Sequence, residues 1–354
     1  MIKWLLAPFM LLALALLTLI LLPSPINATA WEPPKAPPMI EKYAPNQKLD
    51  KAEVLGQGSI PGPEDVDVDS QGRIYGGTAD GRIVRWLPSG EVETVATTGG
   101  RPLGLHWDAQ GKLIICDAFK GLLMLDVETK QLTTLLTEVD GVPLVFTDDL
   151  EIARDGMIYF SDASIKYDQK HYMLDMLEAR PWGRLIRYDP ATKEATTLLR
   201  ELYFANGIAL SQNNDFVLIN ETFRYRIIRY WISGPNAGQH DVFFDNLPGF
   251  PDGVSSSGRG TFWVALGTTR NRQADNLHPH PYLKNLVAKL PAFLRPQPER
   301  YGFVLELDEA GNVVRNLQDR DGNHYPMITS AQERNGILYL GSLETDGIAR
   351  LPLQ

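Results

Sequence analysis

The chain has 354 residues, 44% of them apolar and 22% charged, and a formal net charge of −9. Such a balance belongs to an ordinary globular protein, and its acidity excludes a nucleic-acid binder, which needs a basic face against phosphate. The single cysteine, Cys116, excludes an intramolecular disulfide; set in the apolar run Leu113–Asp117, it reads as a buried strand thiol rather than a nucleophile.

Trp4–Leu22 is an apolar run of 19 residues broken only by Pro8 and Thr18, long enough to cross a hydrocarbon core of roughly 30 Å. Lys3 precedes it and no acidic residue stands there, so the amino end is expected in the cytoplasm and the body outside it, whether periplasmic, lumenal or extracellular. Ala28-Thr29-Ala30 offers a signal-peptide cleavage site, but the run exceeds the usual apolar region of about 7–15 residues, which favours an uncleaved transmembrane signal-anchor. Pro23–Pro45 is rich in proline without an apolar period and reads as a spacer holding the body off the bilayer. The chain thus divides into a membrane segment (1–22), a Pro-rich linker (23–50) and a body (51–354). Asn27 and Asn220 each open a glycosylation sequon, which matters only in a eukaryotic secretory route.

From Gly62 onward one phrase recurs six times, each copy containing a β-rich run led by Gly or Asn: Gly72, Gly111, Gly156, Asn214, Gly260 and Gly336. Short apolar-alternating runs between Gly, Asp and Asn turns fill each copy. Repeats of this size predict an all-β, six-bladed β-propeller, a radial array of four-stranded sheets. Its sixth blade ends with Gly347–Leu351, and Ala52–Leu55 from the amino-terminal side is expected to supply the outer strand that closes the ring.

Ile165–Trp182 and Arg270–Arg300 interrupt the period, each after the second strand of a blade. Both carry apolar residues at helical spacing and are predicted as two short helical lid insertions over the channel mouth. The alternative is a pair of packing helices on the outer surface.

Counting eight residues back from the six leaders gives Glu64, Leu103, Asp148, Asn206, Asp252 and Ile328. First strands line the axis of a propeller, so Glu64, Asp148, Asn206 and Asp252 are expected to converge; the alternative is that they are turn residues bonding their own backbone. Three carboxylates, one amide and no histidine suit a hard cation such as Ca2+, which takes six to eight oxygens, and not zinc or copper. Asp65 and Asp149 are expected to point the other way, holding strand entries or a deeper ion.

Several phrases together carry a family likeness: Gly99–Leu105, Asp148–Leu150, Gly183–Asp189, Phe204–Ile208, Asn220–Thr222, Pro248–Asp252 and Leu338–Ser342. Through them Gly62–Leu353 resembles the strictosidine synthase-like branch of the gluconolactonase–paraoxonase superfamily of six-bladed propellers. The resemblance implies a catalytic calcium held by Glu64, Asp148, Asn206 and Asp252, with Asp148 where such relatives usually carry Asn and Gly253 in place of a further Asn ligand. It implies that the paraoxonase histidine pair is absent, its positions falling on Leu103 and near Ala118. The acid-base Glu of strictosidine synthases falls on or beside Thr329.

The activity this likeness implies is calcium-dependent hydrolysis of lactones or aryl esters, the ion polarising the ester carbonyl. Asp148 is the first candidate for the base that activates water, followed by His324 and His106. Two alternatives stand beside it. One is a non-catalytic, membrane-tethered binding propeller with a structural calcium, since propellers host many functions. The other is a strictosidine synthase-type condensing enzyme, against which the missing Glu argues.

Overall fold

A computed structural model describes residues 20–353. The expected membrane segment falls almost wholly outside them, and among the described residues no helix is long and apolar enough to cross a membrane. All six leader residues occupy left-handed backbone conformations, from Asn214 at φ 57° to Gly156 at φ 88°. Most side chains clash there, which is why the recurring position is only ever Gly or Asn.

The turns separate antiparallel strands that stack as six four-stranded sheets. A lone strand β1 (Glu53–Leu55) comes first. Blade one is β2 (Val66–Val68), β3 (Ile74–Gly77), β4 (Arg82–Trp86) and β5 (Val92–Thr97). Blade two is β6 (Pro102–Trp107), β7 (Leu113–Asp117), β8 (Gly121–Asp126) and β9 (Gln131–Leu136), followed by a small hairpin, β10 (Glu138–Val139) and β11 (Val142–Pro143). Blade three is β12 (Thr147–Ile152), β13 (Ile158–Asp162), β14 (Gly183–Asp189) and β15 (Glu194–Leu202). Blade four is β16 (Ala205–Leu210), β17 (Phe216–Glu221), β18 (Arg226–Trp231) and β19 (His240–Phe244). Blade five is β20 (Gly249–Ser256), β21 (Thr261–Thr269), β22 (Gly302–Asp308) and β23 (Val313–Asp319). Blade six takes β24 (Ile328–Arg334), β25 (Ile337–Ser342) and β26 (Ile348–Pro352), with β1 as its outer strand, as expected.

Closure rests on the pairing of Glu53 with Arg350 and Leu55 with Ile348. Leu55 is buried beside Ile60, Val66 and Ile348, so it staples the amino-terminal strand onto the carboxy-terminal blade. Leu55→Ala should cost about 3 kcal/mol, the middle of the range for truncating a buried leucine. Denaturant unfolding measures it, and a loss below about 1 kcal/mol would mean that the closing strand carries little of the stability.

The Pro-rich stretch is not a free spacer. Thr29 donates its backbone N–H to the Glu178 carbonyl, 3.0 Å, and Trp31 donates to the His278 carbonyl, 3.2 Å. Further along, the Lys35 carbonyl accepts from Asn246, and the Tyr43 carbonyl accepts from the buried Gln318. Ile26, Tyr43 and Leu49 are buried in the propeller's apolar clusters. Apolar residues at irregular spacing in a proline-rich segment have no helix or strand period, so this strap docks by individual anchors that a periodicity search passes over. Asn220 is also corrected as a glycosylation acceptor, because it is fully buried in β17, whereas Asn27 is exposed.

Candidate active site

The first strands of blades two to six each break register with their neighbours near the axis. The breaks fall between Pro102 and Leu105, Thr147 and Leu150, Ala205 and Ile208, Pro251 and Val254, and Ile328 and Ser330. A bulge sets extra residues against the partner strand and re-aims their side chains. The leading bulge residues are Leu103, Asp148, Asn206, Asp252 and Thr329, with Glu64 just ahead of β2. The eight-residue count therefore holds in five blades and is one residue short in the sixth. There Thr329, not Ile328, takes the position, and its hydroxyl donates to the Glu64 carbonyl at 2.6 Å.

Each following residue turns to the far side. The Asp65 carboxylate accepts the Leu105 N–H at 3.0 Å and the Asp149 carboxylate accepts the Ile208 N–H at 2.8 Å, linking blade one to two and three to four. Glycine precedes each of those donors. A Cβ at Gly104 would lie 2.7 Å from the Asp149 Cα, and one at Gly207 would lie 2.4 Å from the Val254 nitrogen. The inner ring thus packs too closely for side chains at these points.

Glu64, Leu103, Asp148, Asn206 and Asp252 line one cavity that opens to solvent. An apolar concavity with a few convergent polar groups is the form of a small-molecule site. Phe146, Phe204, Phe223 and Phe250 make its walls apolar. Both insertions complete it from above. The first folds as a short helix, Tyr172–Glu178, and contributes Tyr172, Met173 and Met176; the second folds as helices Arg272–Leu277 and Pro281–Val287 and contributes Asn271, Ala274 and Pro296–Pro298. They are lids, and they touch each other.

The acidic ring is strained electrostatically. Burial, then the charges of Asp148 and Asp252, push the Glu64 carboxyl well above its ordinary value. Burial and then Asp252 do the same to Asp148. Asp252 is pushed up to about 7 by burial, against which the Asn206 amide works by donating to it at 3.0 Å. The charge of the buried Arg101 works against these shifts at Glu64 and Asp148, but its guanidinium bonds the Gly62 carbonyl and leaves Nη1 without a partner. Three buried carboxylates with no ion-pair partner are costly when charged. The donor set of carboxylates plus an amide oxygen is the chemistry of a hard-cation site. Among the described residues, no three His, Cys, Asp or Glu side chains draw close enough to define a metal site on their own.

The other two expected bases do not reach this cavity. His106 lies on a second, smaller cavity below it with Asp65 and Asp149. Its ring is clamped between Asp67 at 3.1 Å and Glu151 at 3.0 Å. Burial opposes its charge, but Glu151 and Asp67 outweigh that and hold the imidazole well above its ordinary value. A clamped imidazolium has no lone pair to take a proton. His324 donates its Nε2–H to the Ala52 carbonyl, 2.7 Å, and stands outside both cavities.

Asn220 is a residue that sequence reasoning missed. Its amide donates to the Asp252 carbonyl at 2.5 Å, and its own oxygen is buried without a partner. With Thr222, which donates to the Pro251 carbonyl at 2.7 Å, it fixes the bulge that aims Asp252. The signal lay in Asn220-Glu-Thr222, a polar triplet closing an otherwise apolar strand.

Comparison with known proteins agrees with this architecture. Residues 148–235 match the strictosidine synthase family model, and residues 41–86 match the model of the strictosidine synthase-like amino-terminal region. Adipocyte plasma membrane-associated protein of Mus musculus is 38% identical over 97% of this chain and 88% of its own length. Protein strictosidine synthase-like 10 of Arabidopsis thaliana is 36% identical over 82% of this chain and 85% of its own. Among solved structures, a gluconolactonase from Xanthomonas campestris superposes with a TM-score of 0.63 at 17% identity, covering 94% of this chain and 99% of its own. The calcium-binding protein regucalcin from Agrobacterium tumefaciens gives 0.61 at 16%, covering 85% and 93%. At these identities the structures share the fold.

Proposed function

The chain belongs to the strictosidine synthase-like family of six-bladed propellers, and from that membership we propose that it hydrolyses lactones or aryl esters with the help of calcium. The observation that carries this reading is a ring of three buried carboxylates and an amide at the floor of an apolar, lidded cavity. Glu64, Asp148, Asn206 and Asp252 would hold the ion. When bound, calcium polarises the ester carbonyl and stabilises the oxyanion.

The chain's own groups do the rest. The phenylalanine walls and the methionines of the first lid seat the apolar part of the ester and exclude water. Asp148 takes the proton from the attacking water; burial and Asp252 place its affinity for a proton far above that of a surface carboxylate, nearer what a base needs at neutral pH. Asn206 orients Asp252 through its amide donor. Thr329 holds the Glu64 backbone, and no acid-base carboxylate stands in its place, which argues against a condensing enzyme.

A second reading has one observation in its favour. Leu103 fills the wall position where the paraoxonase-type histidine would stand, so the cavity also suits a binding propeller whose calcium is structural. The names of the relatives associate them with the plasma membrane, and the apolar run Trp4–Leu22 would supply the anchor here, with the propeller on the extracytoplasmic side. The deciding experiment assays the full-length chain in detergent against a panel of lactones and aryl esters, with calcium and with chelator. Calcium-dependent turnover abolished by Asn206→Ala is expected. No turnover, with calcium still raising the melting temperature, would replace the hydrolase by the binding propeller.

A further inference from the structure

The amino-terminal strap does not leave the body at an arbitrary point. Ser24 donates its hydroxyl to the Asn285 side-chain oxygen at 3.0 Å, and the Ile20 carbonyl accepts from Lys289 at 3.3 Å. Asn285 lies in the helix Pro281–Val287 of the second lid, and Lys289 just beyond it. Thr29 then clamps both lids: its hydroxyl donates to the Ala179 carbonyl of the first, 3.0 Å, and its carbonyl accepts from the buried Lys284 of the second, 2.5 Å. Only Pro23 separates Leu22, the last residue of the apolar run, from Ser24. Two residues of chain reach about 7 Å at most, so a membrane segment ending at Leu22 cannot hold this lid away from the bilayer.

The same lid carries apolar groups that the protein leaves uncovered. Phe293 is 76% exposed and Tyr282 63%, with Leu283 and Leu294 exposed beside them in sequence. Ile20, Leu21 and Leu22 are exposed as well. Two residues past Leu294, Pro296–Pro298 form part of the cavity wall, so Phe293 and Leu294 stand beside the cavity mouth on the lid that covers it. Lys289, Arg295 and Arg300 stand in this insertion too, the arrangement of aromatic and basic residues that favours a headgroup layer. Large apolar groups left exposed together on one insertion mark an interaction surface, and the apolar run that ends on this lid names the partner.

We propose that the rim of the cavity rests on the lipid bilayer, with Tyr282, Leu283, Phe293 and Leu294 in its interfacial layer. The mouth then takes lipophilic substrate from the membrane and not from bulk water. This rests on the membrane attachment proposed above. It reverses the spacer reading of the Pro-rich stretch: the strap ties the anchor to the lids.

Cys116 is buried, so the full-length chain accepts a thiol label only at an introduced site. Phe293→Cys and, separately, Leu283→Cys would be labelled with bimane. Gln110→Cys serves as control, because its exposed turn joins β6 to β7 at the rim opposite the lids. Each protein is reconstituted into vesicles of phosphatidylcholine and phosphatidylserine, with and without doxyl-labelled phosphatidylcholine. The expected result is loss of fluorescence at 293 and 283 and none at 110. Flotation with the vesicles but no quenching at 293 and 283 would overturn the inference alone. Failure to float would overturn the attachment and the inference together. Disulfide-linked dimers of the unlabelled Phe293→Cys protein under a copper–phenanthroline oxidant, in place of quenching of the labelled one, would assign the rim to a second copy of the chain and overturn the lipid assignment.

Discussion

Asp148→Asn should lower turnover of a lactone or aryl ester roughly 10²–10⁴-fold, the usual worth of a positioned general base, while calcium still raises the melting temperature. Asparagine keeps an oxygen for the ion and the shape of the bulge between Thr147 and Leu150, but it takes no proton. Of the three expected bases, Asp148 alone lines the upper cavity, and the substitution removes one charge from a ring in which Asp252 disfavours the ionisation of Asp148, and both disfavour that of Glu64. Metal binding and the proton-accepting role are therefore separable in one variant. Turnover within about twofold of the parent, with calcium retained, would sink Asp148 as the base. The assay is run above about pH 7, where the buried carboxylates of the parent are ionised when calcium neutralises them.

Removing calcium should destabilise the protein, and more so as pH rises. Without a cation, Asp252 ordinarily near 3.8 is pushed up to about 7 by burial, and Glu64 and Asp148 are raised as well. The unfolded chain releases these protons from about pH 4, whereas the folded chain releases that of Asp252 only near pH 7 and those of Glu64 and Asp148 also later than in the unfolded chain, so between these limits the folded state binds more protons. Stability then falls as pH rises through that window. Calcium binding needs the ionised carboxylates and offsets the loss, so its stabilisation grows with pH. Thermal unfolding with chelator and with calcium should give nearly equal melting temperatures at about pH 4.5 and differ by on the order of 5 °C or more at about pH 8, given a few kcal/mol from the buried carboxylates. An equal gap at both pH values, or no effect of chelator at either, would show that the ring is neutral or that its charges are matched within the protein.

Much of the architecture is written in short-range patterns. Alternation along runs such as Gly336–Leu340 and a left-handed turn residue ahead of each run are local properties, and six copies of them leave little choice but six blades. The spacing from leader to ring residue is the same in five of the six blades, so Glu64, Asp148, Asn206 and Asp252 could be named together. The count failed at Ile328, where Thr329 leads the bulge. Bulge position depends on how β24 pairs with β25 and packs on Glu64 of the next blade, which no single repeat records.

The chain by itself therefore determined the blade number, the closing strand Glu53–Leu55, the acidic ring and the places where lids interrupt the period, because each follows from residue type at fixed spacing. Only the tertiary structure decided the fate of groups whose partners lie far off in sequence. His106 is held between Asp67 and Glu151, whose charges favour its protonated form, Asn220 became a buried support for Asp252, and the Pro-rich stretch a strap across both lids. The charge state of a histidine and the docking of an aperiodic segment are set by burial and by contacts between distant strands and loops, and a one-dimensional pattern carries no record of either.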